Sequence, residues 1–73
     1  MALSYQIIEI PIDADDNETA RIPSWRFDTL EQAVNRIENV LSRCKHHGFE
    51  AAKNYWWCTA VNGQRMRFMI EAV

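Results

Sequence analysis

The sequence predicts an α+β fold: one amphipathic helix, about residues 29–47, packed as a two-layer sandwich on a three- to four-stranded, antiparallel-rich sheet. Three observations predict it. The chain opens on a β-branched run, YQIIEIPI; apolar residues then recur at steps of three and four from Leu30 to Cys44; and Asn62-Gly63 joins two short alternating segments. The element order is β-(β)-α-β-β, closing on a hairpin. At 73 residues the chain reads as a single domain, 1–73.

Residues 5–12 form the first strand. Pro11 has no N–H to give a ladder, so the strand ends there or lies at an edge. The acidic stretch DADDNETA, residues 13–20, reads as a surface loop. In RIPSWRF, Pro23 argues against a central strand, while Trp25 and Phe27 alternate. A short edge strand over residues 24–27 would return beside the first.

The helix starts at Thr29. Gln32 follows three residues later, the spacing of a capping box in which each side chain satisfies the other's free backbone N–H. Asp28 is a rival cap. Leu30, Ala33, Val34, Ile37, Val40, Leu41 and Cys44 make the apolar stripe. Gly48 suits the left-handed position just past a helix, with Phe49 folding back on Cys44 and Lys45, His46 and His47 favouring the dipole. If the first strand pairs in parallel beside the hairpin, this helix is its right-handed crossover.

The hairpin strands are residues 55–61 and 64–71. Met66, Phe68 and Ile70 alternate with Arg65, Arg67 and Met69, and the first set must face the helix. Trp56 and Trp57 are neighbours in a strand, so they point to opposite faces. A two-residue type I′ turn at Asn62-Gly63, the favoured reading, places Trp57 opposite Phe68 in the core and sends Trp56 out beside Met69. A three-residue loop, Val61 to Gly63 with a bulge at Gly63, reverses this and puts Trp56 and Cys58 under the helix. In the first strand Ile8 and Ile10 read as the core set, which turns Tyr5 and Ile7 outward. The far sheet face then carries Trp56, Met69, Arg65, Arg67, Tyr5 and Ile7, with Trp25 placed to lie over it. That is more apolar surface than a small monomer usually leaves wet.

Composition narrows the function classes. Hydrophobic residues at 48% and charged residues at 25% describe a folded chain, not a disordered tail. A net charge of −2 gives no general pull toward nucleic acid or an anionic membrane. Two cysteines are too few for a secreted disulfide framework, the first residues lack a basic leader, and no apolar run approaches a membrane span. The cytoplasm and reduced thiols are the expectation.

No motif carries catalysis, and no cofactor is implied. Cys44, His46, His47 and Cys58 are zinc-ligand types, but CKHH is not a ligand spacing, and capping histidines with buried thiols explain them. Asp13, Asp15 and Asn17 match the start of a calcium loop. Glu18 then stands where glycine is needed and Ser24 where the bidentate glutamate belongs, so no metal site is read. The two glycines are already assigned to a helix stop and a turn, which leaves none for a phosphate loop. A chain of this size has little room for a deep substrate pocket. The order of strand, acidic loop, RFDTLEQA helix and YWW hairpin resembles short bacterial proteins in general, and no activity follows from that.

The expectation is therefore a small intracellular accessory protein that acts by protein–protein contact, as a homodimer, through the open sheet face. Trp56, Met69, Arg67, Arg65, Tyr5, Ile7 and Trp25 are the predicted contact residues, since Trp, Met and Arg are enriched at interfaces. The alternative is single-stranded nucleic-acid binding, with bases stacked on the same aromatics between arginines.

Overall fold

The computed structural model describes residues 3–73. Six elements follow in order: β1 (Tyr5–Ile12), β2 (Ile22–Phe27), α1 (Leu30–Leu41), β3 (His46–Glu50), β4 (Tyr55–Thr59) and β5 (Arg65–Ala72). The strands form one five-stranded sheet, ordered β2-β1-β5-β4-β3, and every pairing is antiparallel. The fold is α+β, as the sequence predicts, with one strand more than the highest count expected. Since β1 pairs antiparallel with β5, α1 is not a parallel crossover.

The helix begins where its cap requires. Thr29 Oγ1 accepts from Gln32 N at 3.2 Å, and Gln32 Oε1 accepts from Thr29 N at 3.3 Å, closing the capping box. The helix ends at Leu41, six residues short of the predicted stop. Ser42 caps it, and its hydroxyl donates to Asn39 O at 2.6 Å. Tight turns through Arg43 and Cys44 then bring the chain into β3. Gly48 is thus no helix stop, and Phe49 does not fold back on Cys44. His46, His47 and Gly48 are strand residues paired with Thr59, Cys58 and Trp57. The connection from β3 to β4, residues 51–54, turns on Asn54, which adopts φ 57°.

The last hairpin takes the three-residue loop. Ala60 N donates to Gln64 O at 2.8 Å, Gly63 N donates to Ala60 O at 2.9 Å, and Gly63 has φ 88°. This register pairs Trp56 with Phe68 and Trp57 with Arg67, so the favoured type I′ reading is corrected. A positive φ at Gly63 alone meets the three-residue loop, whereas type I′ needs it at Asn62 as well.

Each sheet face holds its own apolar cluster. Under α1 lie Ile7, Cys58 and Phe68 with the helix residues Ala33, Ile37 and Leu41. Tyr5, Phe27, Trp56, Met66 and Ile70 pack around them. On the other face Ile8, Ile10 and Ile12 are buried, with Met69 against them. The assignment of β1 is therefore reversed: Tyr5 and Ile7 face the helix, and Ile8 and Ile10 face away. Pro11 sits beyond the last β2 pairing, at Ile22–Glu9. Its carbonyl accepts from Thr19 N at 3.0 Å, so its missing N–H faces the loop side and costs β5 nothing.

Candidate functional site

The sheet face away from α1 divides into two halves. At β1 the loop of residues 13–21 folds back beside the strand, Thr19 N donating to Pro11 O. Asp13 shapes this loop, its Oδ1 accepting from Asp15 N and Asn17 N at 2.9 Å each. Asp16 takes φ 68°, and Ile12 bridges Glu18. Ile10 of β1 has no exposed surface.

The loop's carboxylates meet the arginines of β5. Arg65 lies 3.0 Å from Asp16 and also donates to Asp13 O. Arg67 lies 3.5 Å from Glu18 and 3.8 Å from Asp16, and its guanidinium sits 4.9 Å from the Tyr55 ring centroid. Arg21 joins the same loop to β5 through Glu71 at 3.2 Å. These partners are exposed enough that each ion pair contributes only about 0–1 kcal/mol. Their effect is to fix the loop in place and to occupy both arginines from within the chain.

The other half, over β4 and β3, stays open. Tyr55, Trp57 and Thr59 alternate outward on β4. Trp57 lies across Gly48 of the neighbouring strand. A Cβ built on Gly48 would stand 2.8 Å from Trp57 Cζ2 and 2.9 Å from its Cε2. A larger residue at this position would force the ring to shift. Glycine leaves room here for the indole, and the ring in turn covers a bare stretch of edge backbone. Trp57 remains 37% exposed. One ring face is thus held by β3 and the other is left to solvent. Between Trp57, Tyr55 and Asp16 runs a shallow cleft of about 230 Å³, floored by Arg65 and Arg67.

Of the seven predicted contact residues, three stand on this face: Arg65, Arg67 and Met69. The other four do not. Trp56 packs in the helix-side cluster, tilted against Phe49 at a centroid distance of 4.8 Å. Tyr5 and Ile7 belong to that same cluster. Trp25 stacks under the Arg36 guanidinium of α1 at 4.4 Å, so it lies on the helix side and does not cover the open face. Trp57, Tyr55 and Gly48 take their place. The sequence held one signal for them, the bulged three-residue loop, which turns Trp57 and Tyr55 outward together.

Cys44 and Cys58, which the favoured register separates, are neighbours on the helix side. Burial, and then the Cys44 thiol beside it, pushes the Cys58 thiol up from 9.0 to about 12, against a lowering backbone hydrogen bond from Met66. Thiolate is scarce at neutral pH under those conditions, which makes Cys58 a packing residue and a poor nucleophile. Among the described residues no three or more His, Cys, Asp or Glu side chains are placed to share a metal ion. Among them also, no helix is long and apolar enough to cross a membrane.

Compared with known proteins, the chain matches no family model, no curated protein and no solved structure.

Proposed function

We propose that this protein acts by protein–protein contact through the open half of the sheet face, and that it self-associates as a homodimer. The supporting observation is Trp57, a partly exposed indole packed over Gly48. A large aromatic that is already fixed loses little conformational freedom on binding, and such residues dominate contact energetics. Tyr55 extends the aromatic surface, and Arg65 and Arg67 border it. We place its work in the cytoplasm, where the two free thiols, Cys44 and Cys58, would stay reduced.

Single-stranded nucleic-acid binding has less support. The arginines that would take phosphates are already paired with Asp16 and Glu18.

The test of the contact reading is sedimentation equilibrium of the wild type beside Trp57→Ser and Arg67→Ala. The reading expects a weight-average mass rising above the 8.6 kDa monomer with concentration. A strict monomer at about 1 mM, some 1,000-fold above a micromolar Kd, would remove self-association from it.

A further inference from the structure

We infer that two copies of this chain join edge to edge through β3, in antiparallel register about a two-fold axis at Gly48. The inference rests on the homodimer part of the reading above and adds where the copies meet.

The sheet has two free edges, β2 and β3. In the β4–β5 hairpin the bond from Ala60 N to Gln64 O fixes which residues point which way. Alternation from Ala60 along the continuous register turns the backbone groups of Trp56 and Cys58 toward β5, and those of Tyr55, Trp57 and Thr59 toward β3. Their β3 partners Glu50, Gly48 and His46 are then bonded to β4. The N–H and C=O of His47 and Phe49 point away from the sheet. All four end residues of β3, His46, His47, Phe49 and Glu50, are exposed. From His46 to Glu50 this edge holds no proline and no register shift, two of the guards against strand addition.

A second β3 fits the edge in one register. With Gly48 opposite Gly48 of the second copy, His47 faces Phe49 as a hydrogen-bonded pair, and the two-fold axis repeats it. Four backbone bonds form, from the four N–H groups that otherwise face water. Side chains match as well. His46 stands opposite Glu50 on the open face, a donor ring against a carboxylate. His47 stands opposite Phe49 on the helix face, where Phe49 is 46% exposed. At the centre the two glycines carry no side chain, and the Trp57 rings of the two copies meet above them on the open face.

The other edge cannot take this place. β2 carries Pro23 and a register shift between Gln6 and Ile8 of its partner, so β3 finds a complement in β3 and not in β2. That makes the contact isologous and closed, a dimer and not a filament. The product is one ten-stranded sheet whose two open faces, each bearing Trp57, become continuous. Five paired residues a side place it in the small interface class, below about 1,200 Å², so the dimer forms at high protein concentration.

The experiment is sedimentation equilibrium from about 10 µM to 1 mM, a range that reads micromolar to millimolar Kd values, on wild type, Trp57→Ser, His47→Pro, Glu50→Lys and His46→Glu/Glu50→Lys. His47→Pro removes an outward N–H and leaves the β4 ladder whole. The expected result is a wild-type dimer, weakened at least 10-fold by His47→Pro and by Glu50→Lys, and restored to within 3-fold by the double variant. Because the double variant restores pairing, a fold defect cannot mimic the result. A dimer indifferent to His47→Pro and lost in Trp57→Ser would overturn edge pairing and keep a face-to-face homodimer. A strict monomer at 1 mM would overturn both.

Discussion

The two ends of the sheet are built differently. β2 pairs with β1 across a bulge, presents Pro23 along its length, and is fastened by side chains: Gln6 Nε2 donates to Trp25 O at 3.0 Å, and Arg26 Nε donates to Gln6 Oε1 at 3.3 Å. β3 pairs with β4 in unbroken register and has none of these features. Its centre is a glycine roofed by Trp57. An edge that must stay solitary is irregular and polar; an edge that can accept another strand is regular and short of side chains. The contrast assigns the two ends different roles from local chemistry alone.

Four substitutions break or sharpen this contrast, in order of expected effect. Gly48→Val forces a branched side chain into the space of the Trp57 ring. It should cost about 1–3 kcal/mol, the range for overpacking, and lower Tm by roughly 4–8 °C per kcal/mol in a chain of this size. Trp57→Ala uncovers Gly48 from the other side. The loss of one cross-strand contact should cost up to about 1 kcal/mol in urea denaturation. Asp16→Asn loosens the loop from Arg65 and Arg67. As an exposed pair it should cost about 0.2–1 kcal/mol, the loss shrinking at high salt. Pro23→Thr returns a donor to the guarded edge. Its effect on stability should stay within about 0.5 kcal/mol, but light scattering should now detect species larger than a dimer, since both edges are open. Unchanged scattering would show that Pro23 is not the guard.

Much of this fold is legible in the chain, and the misreadings share a cause. The capping box at Thr29 and Gln32 is local chemistry and stands as read. The run YQIIEIPI is a strand, but apolar on both sides. Alternation cannot orient a strand that is buried on both faces, and Ile7 and Ile8 lie on the sides opposite to those the sequence pattern suggests. β3 is hidden in the sequence because HHGFE has no hydrophobic period and its glycine imitates a helix stop. What makes it a strand is its pairing with β4, where the Trp57 ring lies over the glycine. The Trp56 and Trp57 faces turned on one loop. Both turn types accept Asn62-Gly63, and a one-residue difference in register exchanged the two indoles. Arg65, Arg67 and Met69 were placed on the open face in either register, because alternation in β5 alone put them opposite Phe68.

The acidic loop also separates the two halves of the open face. Beside β1, where Ile8, Ile10 and Ile12 are buried with Met69, it takes up the arginine charge. Over β4 and β3 nothing in the described chain covers Trp57. Burial and charge neutralisation on one side, and an aromatic held flat on the other, confine the candidate surface to the β3 side of the molecule.

The most direct measurement is amide hydrogen exchange along β3, followed residue by residue as protein concentration rises. His46, Gly48 and Glu50 donate to β4 in a single copy, so their protection should hardly change. His47 and Phe49 donate outward, and edge pairing predicts that these two amides alone gain protection as the dimer fills. If all five amides move together, or if His47 and Phe49 exchange freely at a concentration where the dimer is populated, the copies do not meet along β3.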